Sequence, residues 1–221
     1  MSKRIVKVYP RFERLWHWTQ MVLIMVLMFT GFGLNGLHGV LPFGPAVMLH
    51  TIAALVLLAV WIFATFWLFT TGTWKQFVPQ LDGLMQVARF YAFGVFKGES
   101  HPHKKLYWRK HNPLQILAYF GLKVLVFPLI WGTGLIYLTY NLWAAPEGST
   151  FALYVVANLH LLAAYMIAAF VVAHIYMLTI GHGFRSHVKP MISGFEEVDL
   201  TPEQEAYLEA NEPDRLMPRD V

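Results

Sequence analysis

The chain contains no cysteine among its 221 residues. Iron–sulfur ligation, thiolate zinc sites, disulfide bonds and covalent c-type haem attachment all need that residue, so the sequence excludes them. Any metal chemistry must therefore use histidine, methionine, carboxylates or a bound cofactor.

Charged residues are also scarce. They make up 14% of the chain, while 57% is hydrophobic; soluble domains have about 25% and about 45–50%. No Asp, Glu, Lys or Arg occurs from Leu15 to Trp74, and only Lys123 and Glu147 occur between His111 and Phe184. This distribution predicts an integral membrane protein.

The long apolar blocks are divided by turns that contain Gly, Asn and Pro. A helix needs about 20 apolar residues to cross a bilayer. The predicted fold class is therefore an all-α membrane protein, a bundle of four transmembrane helices with spans near residues 15–35, 46–70, 114–140 and 152–180. Pro128 lies inside the third span, where membrane helices tolerate a proline kink.

The basic residues predict the orientation. Five Lys and Arg precede the first span, seven lie between Lys75 and Lys110, four follow the last span, and the turns at 36–45 and 141–151 have none. Basic residues stay on the cytoplasmic side. Both termini and the 71–113 loop are therefore expected inside, with the basic N-terminal stretch a retained tail and not a removed signal peptide.

Two segments outside the spans have predictable character. The sequence PQLDGLMQVARFYAFGVFKG, residues 79–98, has helical spacing and predicts an amphipathic helix on the cytoplasmic face. Residues 1–195 are expected to form the bundle domain. Residues 196–221 are acidic and are expected to form a loosely ordered cytoplasmic tail.

The ten histidines fall into two classes by depth. Six are interpreted as solvated or interfacial polar residues in loops or at helix ends: His38, His101, His103, His111, His182 and His187. The other four lie within the predicted spans. His50 and His160 form an outer pair by depth, and His17 and His174 form an inner pair.

The spacing of two of these histidines favours stacked cofactors. His160 and His174 are fourteen residues apart, which is about 40° short of four helical turns and about 21 Å along the axis, so they share a face. One partner at each depth gives two sites with two imidazoles each. Haem iron accepts two axial imidazoles, whereas a zinc site needs three or four converging ligands. The alternative is four buried histidines bonded to backbone carbonyls.

Several stretches together resemble the bacterial di-haem cytochrome b subunits of membrane-bound oxidoreductases, such as the gamma subunit of formate dehydrogenase and the cytochrome b subunits of nickel–iron hydrogenase and thiosulfate reductase. The resemblance covers about residues 9 to 195 and rests on FERLWHWTQ, MLHTIAAL, KHNPLQ, NLHLLAAY and VVAHIYM. It implies two non-covalent haem b groups. His50 and His160 would be the axial ligands of the outer haem, and His17 and His174 those of the inner haem.

The resemblance also implies a quinone site, for menaquinone or ubiquinone, beside the inner haem. Lys110, Asn112 and Gln115 would contribute to it, since an amide side chain can hydrogen-bond a quinone carbonyl. The simpler interpretation is that Asn112 and Pro113 cap the third helix, and the two roles are compatible.

The expected function is that of an electron-transfer subunit and not of a stand-alone enzyme. It would pass electrons between a periplasm-facing iron–sulfur or multihaem cytochrome subunit, which accompanies a catalytic subunit, and quinone near the cytoplasmic face of the bacterial inner membrane. No nucleic-acid partner is expected. A histidine-lined proton or metal transporter and a purely structural membrane anchor are the alternatives.

Some polar and exposed positions have more than one interpretation. Lys123 is too deep for a solvated lysine, so it would pair with a haem propionate, reach the interface, or meet an acid on a partner. Glu13 and Arg14 would orient a propionate or the partner, or end the span. The turns at Phe43 and Trp143 are the expected partner-binding face.

Overall fold

The computed structural model describes residues 2–79, 81–100, 102, 110–143, 149–180 and 183–217. Within these ranges the chain forms two β-strands and nine α-helices. In chain order they are β1 (Ser2–Lys7), α1 (Arg11–Leu34), α2 (Phe43–Thr70), α3 (Leu84–Arg89), α4 (Pro113–Gly121), α5 (Phe127–Leu138), α6 (Tyr140–Trp143), α7 (Ser149–Thr179), α8 (Phe184–Ser193), β2 (Phe195–Leu200) and α9 (Pro202–Asn211).

Four helices in the described part are long and apolar enough to cross a membrane: α1, α2, the continuous helix from Pro113 to Leu138, and α7. These match the four predicted spans, because each long apolar run must satisfy its own backbone hydrogen bonds in lipid. The fold class is confirmed as an all-α membrane bundle. The cytoplasmic placement of the termini stays a prediction.

The third span is regular except at one turn. Residues Leu122–Val126 form a π-helical turn between α4 and α5, which ends two residues before Pro128. Proline has no N–H for the carbonyl four residues earlier, and a widened turn absorbs the mismatch. Lys123 lies in this turn.

The chain divides into two compact units. We call residues 18–74 and 118–174 the membrane unit, and residues 1–17, 75–117 and 175–221 the terminal unit. In the membrane unit, Leu122, Val126 and Ala163 form a buried cluster, against which Ile167 and Phe170 pack.

The terminal unit contains a small β-sheet that the sequence analysis did not predict. β1 and β2 pair antiparallel, with Ser2 opposite Leu200 and Lys7 opposite Phe195. Val6, Val198, Leu200 and Leu208 form the buried core beneath the strands.

The prediction of a loosely ordered tail from residue 196 is therefore wrong up to residue 217. The acidic strand β2 pairs with the basic strand β1, and Lys3 Nζ lies 3.1 Å from Glu197 Oε1. A capping box at Thr201 and Gln204 then starts α9. Residues 218–221 lie outside the described residues.

The 71–113 loop has helical structure where it is described. α3 continues through a π-helical turn, Phe90–Gly94, and a short 3₁₀ turn, Val95–Lys97. The position of this segment on the membrane surface stays a prediction.

Candidate functional site

The outer histidines are brought together by two different helices of the membrane unit. His50 lies in α2 and His160 lies in α7, and their ring centroids are 6.4 Å apart with the ring planes at 67°. A metal held between two imidazole nitrogens at about 2.0–2.1 Å each would put the ring centroids about 6–6.5 Å apart. The separation therefore suits a shared metal between the rings.

Each outer histidine is held by a threonine from another helix. Thr30 Oγ1 in α1 is 2.9 Å from His50 Nδ1, and Thr133 Oγ1 in α5 is 3.0 Å from His160 Nδ1. A metal-binding imidazole commonly uses its second nitrogen in this way, which orients the ring.

A glycine follows each of these threonines and gives the ring its room. A Cβ added at Gly31 would lie 3.2 Å from His50 Cε1, and one added at Gly134 would lie 3.3 Å from His160 Cε1. Carbon atoms prefer about 3.5–4.0 Å. Both rings therefore approach the neighbouring helix at a point where a side chain is missing.

A cavity of about 710 Å³ surrounds the two rings. Its lining includes both histidines together with Trp61, Trp131 and many aliphatic side chains, and all of these residues belong to the membrane unit. Cofactor sites are mostly apolar cavities of about 300–1,000 Å³ with a few placed polar groups.

The ligand count decides which kind of metal site these residues fit. Among the described residues, no group of three or more His, Cys, Asp or Glu side chains could hold a metal ion. Two imidazoles in an apolar cavity suit an iron whose other ligands come from a macrocycle. The outer pair therefore fits haem b.

The two inner histidines lie in different units. His17 is in the part of α1 that belongs to the terminal unit, whereas His174 is in the membrane unit, where its ring stacks on Phe170 with centroids 5.8 Å apart. Their pairing at one inner haem stays a prediction.

The residues predicted for a quinone site lie together in the terminal unit and have protein partners there. Asn112 Oδ1 accepts from the Gln115 backbone N–H at 2.9 Å, and Gln115 Oε1 accepts from the Asn112 N–H at 3.0 Å. This reciprocal pair is a helix cap. The capping interpretation is therefore confirmed, and the quinone role stays a prediction.

Lys110 also has a structural partner. Its Nζ lies 2.6 Å from Glu13 Oε2, with 7% and 13% of the two side chains exposed, and it sits over the Tyr9 ring at 5.3 Å. Arg14 donates to the backbone carbonyl of Ile192. The first turn of α1 is thus tied to the segment before the third span and to α8.

Two phenols lie in this region of the terminal unit. Burial raises the pKa of Tyr9 far above its usual range, and Glu196 and Glu13 raise it further. Burial also raises the pKa of Tyr91, although the hydrogen bond from Asn112 Nδ2 to its hydroxyl, at 3.2 Å, opposes that rise. Both phenols are therefore protonated at neutral pH.

The remaining described histidines make local contacts. His38 Nε2 bonds the Phe29 carbonyl at 2.8 Å, His187 Nε2 bonds the Ile180 carbonyl at 3.1 Å, and His111 packs beside Phe77. His101, His103 and His182 lie outside the described residues.

Sequence reasoning missed Thr30 and Thr133. A signal was present, because each begins a Thr-Gly dipeptide inside a predicted span, at residues 30–31 and 133–134.

Comparisons with known proteins show the family of the chain. The sequence model of the family described as prokaryotic cytochrome b561 matches residues 8–194. The chain is 28% identical, over 198 residues, to the Escherichia coli (strain K12) protein named "Putative cytochrome YdhU", and the match covers 86% of this chain and 74% of that protein. No solved structure matches the chain at a significant level. The chain therefore belongs to the prokaryotic cytochrome b561 family, whose members are membrane haem b proteins of electron transfer.

Proposed function

We propose that this chain is the di-haem b membrane subunit of a respiratory oxidoreductase complex in the bacterial inner membrane. It carries electrons between a partner subunit on the periplasmic face and quinone near the cytoplasmic face. The observation that supports this proposal most directly is the outer pair, His50 and His160, with 6.4 Å between ring centroids inside an apolar cavity.

Bound haem b supplies a one-electron carrier. The chain supplies two axial imidazoles for each haem: His50 and His160 at the outer site, and His17 and His174 at the inner site. The apolar lining of the outer cavity excludes water and favours the macrocycle over a hydrated ion.

The quinone is proposed to bind near the start of the third span. The side-chain oxygens of Asn112 and Gln115 are used in the helix cap. Tyr91, which accepts a hydrogen bond from Asn112 Nδ2, places a protonated phenol beside this cap. A hydroxyl of this kind can donate to a quinone carbonyl.

The partner is proposed to be an iron–sulfur or multihaem cytochrome subunit that docks at the turn before α2. Phe43, the first residue of α2, is 74% exposed, which suits an apolar contact. Because this chain has no cysteine, an iron–sulfur relay must come from another polypeptide.

The first test is a haem count with a reduced-minus-oxidised spectrum of the purified full-length chain. We expect two non-covalent haem b per polypeptide, one after His160→Ala, and two after His38→Ala, the matched control. Retention of both haems by His160→Ala would refute the outer assignment. A well-folded preparation without haem would refute the electron-transfer proposal and favour a transporter.

The second test separates an electron carrier from a structural anchor. The haem-loaded chain in liposomes is mixed with a short-chain quinol, and reduction of haem is followed by its absorbance. We expect reduction in the unmodified chain and its loss or slowing in Asn112→Ala with Tyr91→Phe. A fully haem-loaded chain that quinol cannot reduce would refute the quinone role.

A further inference from the structure

We propose that Thr30 and Thr133 are positioning residues that hold His50 and His160 in the tautomer protonated at Nδ1, so that each Nε2 is available to bind iron. This inference rests on the haem-binding function proposed above, because it concerns the axial ligands of the outer haem. The tautomer itself is a property of the polypeptide, so it can be measured whether or not haem binds.

The direction of each hydrogen bond follows from the single proton of a hydroxyl. Thr30 Oγ1 donates to the Val26 carbonyl at 2.8 Å, so towards His50 Nδ1, at 2.9 Å, it can only accept. The His50 ring must then carry its proton on Nδ1. A neutral imidazole has one proton, so Nε2 keeps its lone pair.

The second site repeats the same arrangement. Thr133 Oγ1 donates to the Leu129 carbonyl at 2.6 Å and accepts from His160 Nδ1 at 3.0 Å. The two sites use four different helical segments and share no residue. Their agreement argues for a common role and against an accident of packing.

Burial strengthens the energetic preference for one tautomer. Thr30 has no exposed surface and Thr133 is 6% exposed. A buried donor without an acceptor is costly, since water cannot replace the lost bond. The opposite tautomer would leave Nδ1 without a proton to share with the hydroxyl and would place a proton on the nitrogen needed by iron.

The bond also acts on the ligand after iron is bound. When the Nδ1–H of a metal-bound imidazole donates a hydrogen bond, the imidazole becomes a more basic ligand and its ring is held in one orientation. We therefore expect the two threonines to stabilise the oxidised outer haem and to lower its reduction potential.

The test uses the full-length chain labelled with ¹⁵N-histidine, prepared both haem-depleted and haem-loaded. The haem-depleted protein is studied by NMR at about pH 8, where an unperturbed imidazole is neutral. Spectra of His50→Gln and His160→Gln assign the two signals. We expect both rings to be protonated at Nδ1.

The variants are Thr30→Val and Thr133→Val, which remove the hydroxyl and keep the shape, and Thr30→Ser and Thr133→Ser, which retain it. Thr70→Val is the matched control, because the Thr70 hydroxyl also donates to carbonyls of its own helix, those of Phe66 and Trp67. We expect the Val variants to lose the tautomer preference, to hold haem about 10- to 100-fold more weakly and to raise the outer haem potential. The Ser variants and Thr70→Val should behave as the unmodified chain.

Two results would overturn the proposal. One is an unmodified chain in which either ring is protonated at Nε2. The other is a pair of Val variants whose tautomers and haem potential match those of Thr70→Val. If the chain binds no haem, the proposed function fails while the tautomer result still decides this inference.

Discussion

Gly31 and Gly134 provide the sharpest test of how closely the outer rings approach their neighbouring helices. Replacing Gly31 by Ala places a methyl carbon 3.2 Å from His50 Cε1, and Gly134→Ala places one 3.3 Å from His160 Cε1. Both distances are shorter than the preferred carbon–carbon contact of about 3.5–4.0 Å. The ring or its helix must therefore move by a few tenths of an ångström.

The expected magnitude follows from overpacking, which costs about 1–3 kcal/mol. Ala in place of Gly inside a helix also gains about 0.5–1 kcal/mol, but this gain is the same with and without haem and does not change the haem affinity. The loss is therefore about a 5- to 150-fold weaker binding of haem, at about 1.36 kcal/mol per factor of ten. The loss falls on the bound state because a ring without iron is able to swing away from the added methyl.

Gly132→Ala is the matched control. Gly132 lies in the same helix as Gly134, but apart from its chain neighbours and its own helix backbone nothing lies within 4 Å of a Cβ added there. The same substitution should therefore leave haem binding unchanged and stabilise the helix slightly. Haem titration of the haem-depleted full-length variants, followed by absorbance, gives the dissociation constants. Equal haem affinity in Gly31→Ala, Gly134→Ala and Gly132→Ala would refute the close approach of ring and helix.

Three further predictions concern the terminal unit. Leu208→Ala should destabilise the strand pair by about 2–5 kcal/mol, because Leu208 is fully buried in its core; hydrogen exchange of the β1 and β2 amides should accelerate, and unchanged exchange would contradict the packing. Asn112→Ala removes a helix cap and should cost about 1 kcal/mol, measured as faster hydrogen exchange of the Gln115 amide. Asn112→Asp keeps the acceptor oxygen, so the exchange of that amide should not accelerate. Burial raises the pKa of Tyr9 in the folded protein. Its contribution to the free energy of unfolding is therefore fully present below about pH 10, the unfolded value of the pKa, and is lost as the pH rises above it. Tyr9→Phe should flatten this alkaline decline in the unfolding midpoint, and an identical decline in both proteins would show that Tyr9 is not its source.

Part of the candidate haem site could be predicted from the sequence. The basic residues predicted which end of each span faces the cytoplasm, and this orientation placed His50 and His160 at one depth. The structure brings these two rings together, which their shared depth allows. The match between His17 and His174 rests on the same reasoning and stays a prediction.

The threonines show where reasoning from sequence reached its limit. Thr30 and His50 are twenty residues apart, and Thr133 and His160 are twenty-seven apart. Hydropathy gives the depth of a residue but not the face that its helix turns towards a neighbour. Only the packed helices determine which hydroxyl reaches which imidazole.

The acidic segment after residue 195 is a case in which local composition predicted the wrong structure. Its composition by itself is typical of a solvated tail, yet Glu197 lies beside Lys3, and Glu205 lies 3.1 Å from Arg4. The complementary charges of Lys3 and Arg4, together with Val6 in the buried core, come from the other end of the chain. A local reading cannot anticipate a partner almost 200 residues away.

The sequence by itself determined that this protein is a bundle of four membrane helices, and it predicted histidines at two depths. The helices follow because lipid offers no hydrogen bonds, so each long apolar run must be a helix. The tertiary structure decided the rest: the pairing of β1 with β2, the threonine that bonds each outer histidine, and the glycine that leaves room for its ring. These features depend on side chains from distant segments meeting at contact distance, and contact distance is a property of the packed chain.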